Sequence, residues 1–198
     1  DGNKPGPYTE KDAPNPQSVY GRTKLAGEQA IRAAEGKYLI LRTSWVYGVH
    51  GGNFVKTVLR LAKERGELRI VADQFGAPTW ARLLANTTVP ILQHWQAKEI
   101  DENLCGVYHL TAAGRTSWHQ YAEEIVRLAR QHDAVLANKA LTIHPIATRE
   151  YPLPASRPAN SVLATDKVKQ VFGINLPQWQ DDLAECLKEL YSASSTKA

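Results

Sequence analysis

Tyr20 and Lys24 stand four residues apart in the stretch NPQSVYGRTKLAGEQAI, residues 15–31. On an α-helix, positions i and i+4 share a face, so a phenol and an ammonium at this spacing project together. A free phenol gives up its proton reluctantly at neutral pH. A neighbouring ammonium stabilises the phenolate and makes the proton easier to release. Such a pair can protonate a carbonyl oxygen while hydride arrives at its carbon, and the three ammonium donors can also hold ribose hydroxyls. Of the eight tyrosines, Tyr20 alone has this partner. The spacing by itself is better accounted for by a half-buried tyrosine with a lysine stem lying along it.

The elements around the pair decide what it can meet. Asn15 as N-cap and Pro16 at the first helical position predict a helix to about Ala34, with Val19, Thr23, Ala26, Ala30 and Ile31 on one face and Gly36 beyond its end. Tyr38–Gly48 reads as a strand with a continuous apolar start, suited to a sheet covered on both sides. A helix follows from Phe54 to Arg65, capped by Asn53 and stopped by Gly66, and then a short strand and turn in ELRIVADQFGAPTW. RLLANTTVPILQHWQA has a helical pattern that Pro90 is expected to kink or interrupt. Gly106–Ala112 is a strand, TSWHQYAEEIVRLARQH a helix with a Ser117–Gln120 capping box, and LTIHPIAT a further strand. YPLPASRPANSVLATDKV is punctuated by proline. A short helix near Asp166–Phe172 follows it, and a last helix runs from Pro177 to about Leu190, before the tail SASSTKA. Strands alternating with helices imply an α/β fold with a largely parallel sheet.

Composition narrows the class. With 43% hydrophobic and 22% charged residues, the chain is expected to bury an ordinary core. No apolar run approaches the ~20 residues of a membrane span. The net charge of +4 comes from scattered basic residues, which argues a solvated surface and not a nucleic-acid partner. Cys105 and Cys186 lie far apart, so a reduced, cytoplasmic protein is expected. Cys105 and His109 fall on one strand face without further ligands at metal spacing, so packing is expected there and no metal. The chain has no methionine and opens on a Gly/Pro-rich polar segment that reads as a loop, so it is expected to be a piece of a longer polypeptide. GVHGGN (48–53) joins a strand to a helix but lacks both the dinucleotide glycine spacing and a P-loop Lys-Ser/Thr, so it reads as an ordinary turn.

The block around Tyr20 and Lys24 resembles the active-site helix of the extended short-chain dehydrogenase/reductases, where Tyr-x-x-x-Lys is followed by a small residue and glutamate, here Ala26-Gly27-Glu28. LRTSWVYG (41–48), NFVKTVLRLAKERGEL (53–68), DQFGAPTW (73–80), GVYHLTAAGRTSWHQYA (106–122) and SRPANSVLATDKV (156–168) then follow in the order of the dTDP-4-dehydrorhamnose reductases within that group. The resemblance covers nearly the whole chain. It implies reduction of the C4 ketone of dTDP-4-dehydro-L-rhamnose by NADPH or NADH. Tyr20 would protonate the nascent alkoxide, and Lys24 would bind the nicotinamide ribose. Trp45 would lie beside the deoxysugar, whose methyl offers an apolar contact. Arg157 would meet the substrate diphosphate with its guanidinium fork. Asn53 would face the nucleotide, although N-capping alone accounts for it.

The same resemblance implies the C-terminal part of a doubly wound, Rossmann-like sheet with a small α/β substrate-binding subdomain. Residues 1–66 would carry the active-site loop, the Tyr-x-x-x-Lys helix and the end of the dinucleotide-binding domain. Residues 67–198 would be mostly substrate subdomain, with some segments returning to the main sheet. The N-terminal βαβ half, with the Gly-rich turn and the Ser/Thr that shares the phenol's proton, has no match in this sequence. The chain alone is therefore expected to be inactive, to bind cofactor weakly and to leave a sheet edge exposed. A homodimer, or complementation by the N-terminal half, stays open as its assembly. Two alternatives remain: a non-catalytic relative such as the regulatory subunit of methionine adenosyltransferase, and a reductase or epimerase of another nucleotide 4-keto sugar. Trp45 and the intact Tyr20/Lys24 pair favour the reductase.

Overall fold

The computed structural model describes residues 1–98, 101–152, 154–155 and 157–195. Leu153 and Ser156 of the proline-punctuated segment, and the last three residues of the SASSTKA tail, lie outside the described residues. Along the chain run α1 (Val19–Ala33), β1 (Leu39–Arg42), β2 (Val46–Tyr47), α2 (Phe54–Glu64), β3 (Glu67–Val71), β4 (Phe75–Gly76), β5 (Thr79–Trp80) and α3 (Ala81–Ala97). They are followed by β6 (Gly106–His109), β7 (Thr116–Ser117), α4 (Trp118–Ala129), α5 (Ala134–Ala137), β8 (Thr142–Ile146), α6 (Asp166–Phe172) and α7 (Trp179–Ser195).

The strands associate in pairs. β1 runs parallel to β6, from Leu39 opposite Gly106 to Arg42 opposite His109. β3 runs parallel to β8, from Glu67 opposite Thr142 to Val71 opposite Ile146. β2 and β5 are parallel, and β4 and β7 antiparallel. Parallel neighbours need crossovers, and helices supply them, which is the expected α/β architecture.

Several boundaries differ from the sequence reading. The strand expected over residues 38–48 is broken at Trp45, which has φ +47°. A left-handed residue turns the chain out of the strand direction, so β1 joins β6 while β2 joins β5. The short region expected as a turn after β3 forms β4 and β5. α1 is capped by Ser18 and not by Asn15: Ser18 is extended, and its hydroxyl accepts from the Gly21 amide at 3.0 Å. α3 runs through Pro90. Pro90 and Asn86, whose carbonyl loses its helical donor, are both exposed, where water can replace the missing bond. α7 continues past Leu190 to Ser195. The Asn53 cap of α2 and the reciprocal Ser117–Gln120 box of α4 form as expected.

Two apolar clusters fill the interior. One packs α2, α4 and α7 together, with Val55, Val58, Ala62, Tyr121, Ile125, Leu183 and Leu187 nearly inaccessible. The other gathers Ile91, Tyr108, Leu110, Val168 and Leu176 around β6, α3 and α6. α1 belongs to neither cluster and buries no residue. Its expected apolar face is uncovered, with Val19 68% and Ile31 48% exposed. The side turned inward carries Gly21, Leu25 and Glu28 instead, because the tie to the sheet is ionic.

Candidate functional site

α1 presents Tyr20 and Lys24 on one face. The Lys24 ammonium lies 5.6 Å from the centroid of the Tyr20 ring, within cation–π range. Tyr20 is 72% exposed. Glu28, one turn beyond Lys24, takes both the Nε and an Nη of Arg42 on its two carboxylate oxygens, at 2.7 and 2.6 Å. This carboxylate holds the Arg42 guanidinium charged despite its partial burial. Arg42 ends β1, so the fork pins the helix to the C-terminal end of a parallel strand.

Next to Arg42 across the strand pair is His109, buried and with its amide donating to Glu10 at 2.9 Å. Its ring nitrogens lie near the carbonyls of Tyr8 and Ala164 without reaching hydrogen-bond geometry. Burial pushes the imidazole below its usual value, against the raising influence of Glu10. His109 is buried as expected, whereas Cys105 is half-buried and precedes the strand instead of sharing its face. Among the described residues no three His, Cys, Asp or Glu side chains converge as metal ligands.

The second part of the site is aromatic. Trp45, turned by its positive φ, stacks on Trp118 with ring centroids 3.6 Å apart and planes 12° from parallel. Phe54 at the start of α2 closes on Trp118 at 4.7 Å and on Tyr121 at 5.5 Å. Gly76 makes the stack possible: a Cβ there would lie 2.4 Å from Trp45 Cε2. These rings, with Asn53 and Arg157, line a cleft of about 350 Å³. Arg157 is exposed, and its guanidinium makes no hydrogen bond or ion pair among the described residues. The Asn53 side chain is largely committed, accepting from the Lys56 amide at 3.1 Å and donating to the Gly48 carbonyl at 2.7 Å.

The cleft therefore brings together Trp45, Asn53 and Arg157, while Tyr20 and Lys24 stand on α1 outside its lining. Trp118, Phe54 and Tyr121 were not singled out in the sequence. Their available signal was the aromatic pair of TSWHQY, three residues apart immediately after a capping box. The hydroxyls of Tyr47 and Tyr121 are buried without a hydrogen-bond partner among the described residues. Burial drives both phenols well above the usual range, so they stay neutral. Beside Tyr47, Asp182 is raised to about 6, first by burial and then by Asp181. The GVHGGN turn borders an adjoining cleft of about 360 Å³, walled by Trp80 with Arg82 stacked 4.7 Å over its ring.

Residues 1–192 match the family described as the RmlD substrate binding domain. The chain belongs to this family. Among curated relatives of this RmlD-family chain, a dTDP-4-dehydrorhamnose reductase of Burkholderia thailandensis is 46% identical over 97% of the chain and 65% of the relative. Another dTDP-4-dehydrorhamnose reductase, of Escherichia coli K12, is 46% identical over 98% of the chain and 63% of the relative. The chain thus spans somewhat under two thirds of the length of these relatives. Among solved structures, a dTDP-4-dehydrorhamnose reductase of Clostridium acetobutylicum superposes with a TM-score of 0.84 at 38% identity, over 96% of this chain and 62% of that one. One from Bacillus anthracis, in complex with NADP, has a TM-score of 0.76 at 36% identity, over 95% and 61%. A UDP-glucose 4-epimerase of Thermotoga maritima, at 18% identity and a TM-score of 0.70, shares the fold alone.

Proposed function

We propose that this chain is the substrate-holding and proton-donating part of an NAD(P)H-dependent reductase of the C4 ketone of dTDP-4-dehydro-L-rhamnose. The observation that carries the proposal is the stacked Trp45–Trp118 pair in one cleft with Arg157 and Asn53. An apolar ring wall beside an unpaired guanidinium suits a 6-deoxy sugar joined to a nucleoside diphosphate. The family and the names of its reductase relatives point the same way.

The residues divide the work. Arg157 takes the diphosphate, and Trp45 lies against the deoxysugar. Asn53 borders the nucleotide while its side-chain oxygen caps α2. Lys24, whose ammonium makes no hydrogen bond or ion pair among the described residues, has donors to spare for ribose hydroxyls. Tyr20, exposed on the same face, is placed to meet a cofactor and a ketone from solvent. These two residues fit a nicotinamide ribose, and the NADP complex of the Bacillus anthracis relative supports the same cofactor class. When bound, the cofactor supplies hydride to the carbonyl carbon. The Tyr20 phenol gives its proton to the oxygen as the C=O π bond opens, and Lys24 stabilises the phenolate left behind. The turn GVHGGN carries no phosphate in this scheme. No described helix is long and apolar enough to cross a membrane, and we place the reaction in the cytoplasm. We divide the chain near residue 66, with α3 and α6 returning to the β1/β6 side, a return supported by the packing of Ile91, Tyr108 and Val168 with Leu39 and Leu41.

The test joins this chain to the part of the Burkholderia thailandensis relative that lies outside the match. NADPH oxidation driven by the 4-keto sugar nucleotide supports the proposal, and Tyr20→Phe in that protein is expected to lower kcat by about 100-fold or more with KM little changed. Turnover undiminished by Tyr20→Phe removes the role given to that residue. No dTDP-sugar binding by the joined protein overturns the proposal as a whole.

A further inference from the structure

Residues 157–164 form a strap between the two halves of the site. On one side the strap bonds to β4: the Phe75 amide donates to the Ala159 carbonyl and the Ser161 amide to the Phe75 carbonyl, both at 2.8 Å. The next residue of β4 is Gly76, against which Trp45 rests. On the other side the strap bonds to the opening segment that leads into α1. The Tyr8 amide donates to the Val162 carbonyl at 2.8 Å, and the Ala164 amide to the Tyr8 carbonyl at 2.7 Å. Gly2, with φ +85°, comes so close to the strap that a Cβ would sit 2.3 Å from Pro158 Cβ. Only glycine tolerates both conditions.

Asn160 is the clasp. It is 9% exposed. Its side-chain amide donates to the carbonyls of Lys4 and Gly6, at 2.8 and 2.9 Å, and its side-chain oxygen accepts from the Val162 amide at 3.1 Å. Its own amide donates to the Gly2 carbonyl at 3.1 Å. All these bonds are internal, so the side chain is spent on holding backbone and not on a ligand. Three residues before it stands Arg157, unpaired and in the wall of the aromatic cleft.

We propose that Asn160 is a positioning residue, which couples occupation of the Arg157 cleft by a nucleoside diphosphate to the placement of the segment that feeds the Tyr20 helix. Arg157 captures the diphosphate, the intervening Pro158 limits the slack in the chain, and the clasp passes the constraint to residues 2–8. The inference rests on reading the cleft as a nucleoside-diphosphate site.

The probe is dTDP, titrated by calorimetry into the chain, with amide hydrogen exchange recorded in parallel. At saturation, with dTDP at about a hundred times its Kd, exchange in residues 2–12 is expected to slow, by up to about a hundredfold where opening requires release of the ligand. In Asn160→Ala, dTDP is expected to bind within a few-fold of the original affinity while residues 2–12 gain no protection. Asn160→Asp keeps the bond from the Val162 amide but cannot donate to Lys4 and Gly6. It is expected to behave like the alanine variant, which guards against a variant that simply fails to fold. Protection of residues 2–12 that persists in both variants overturns the coupling. So does dTDP binding to the unsubstituted chain without any protection there. Failure of the unsubstituted chain to bind dTDP overturns the reading of the cleft, and the coupling falls with it.

Discussion

Glu28 on α1 receives Arg42 at the end of β1 in a two-point fork, and the carboxylate is only 15% exposed. α1 buries no side chain, so this fork, not an apolar face, ties the Tyr20/Lys24 helix to the strands. Glu28→Gln removes the charge and one acceptor while preserving shape. It is expected to cost about 1.5–3 kcal/mol in the local stability of α1, the usual range for hydrogen bonds to a charged group. Hydrogen exchange of the α1 amides measures this. Unchanged exchange would show that the helix is held by something other than the fork.

Gly76 leaves the space that Trp45 occupies. In Gly76→Ala the new methyl would lie 2.4 Å from Cε2 and 2.7 Å from Nε1 of the indole, so the ring must leave its stack. The expected cost is about 1–3 kcal/mol, as for other overpacked sites. Near-ultraviolet circular dichroism reads the result, through loss of the coupled signal of two indoles with centroids 3.6 Å apart. Retention of that signal would show that the backbone of β4 yields instead.

Trp118 backs Trp45 and also contacts Phe54. Trp118→Ala is expected to weaken dTDP-sugar binding about two- to tenfold, corresponding to the roughly 0.5–1.5 kcal/mol of an aromatic pair beyond its area. Calorimetric titration separates this from Arg157→Ala, which is expected to weaken binding of dTDP itself as well as of the sugar nucleotide. Equal affinity in Trp118→Ala and the parent would remove the second indole from the binding site.

Asp182 is raised to about 6 by burial and by Asp181. The sign follows from a carboxyl whose folded value lies above its unfolded value near 4. Below pH 4 the group is neutral in both states and contributes nothing. As pH rises from about 4 to about 6 the unfolded state loses its proton first, and stability falls. Asp182→Asn is therefore expected to raise stability above pH 6 and to leave it unchanged below pH 4. Because half the group is exposed, solvent screening reduces the effect to about 1 kcal/mol. Denaturant titrations at pH 4 and pH 7.5 check it: an equal ΔG difference at both pH values would assign the effect to packing.

Short-range chemistry was legible in the residues. Asn53 and Ser117 cap α2 and α4 as their side chains and spacing require, and the Ser117–Gln120 box closes within one turn. Tyr20 and Lys24 share a face because helix geometry alone brings i and i+4 together. Apart from the α1 cap, which is Ser18 and not Asn15, the readings that went astray depend on distant partners. Trp45 breaks its strand because the turn lets its ring reach Trp118 across Gly76, and α1 turns Leu25 and Glu28 inward because Arg42 waits there.

What the sequence determined by itself is the set of local conformations and the chemical groups they carry: a phenol with an ammonium, a tryptophan at a strand end, an arginine in a proline-rich segment. What the tertiary structure alone decided is which groups meet. Trp45, Asn53, Phe54, Trp118 and Arg157 converge on one cleft only when β2, α2, α4 and the strap are packed. The helix that carries Tyr20 is likewise tied by Glu28 to Arg42, and the opening segment before it is held by Tyr8 and Asn160, through partners remote in the chain. Capping and helical spacing act within a few residues and can be read from them. Contacts between distant segments depend on the three-dimensional path of the backbone, which no local pattern specifies.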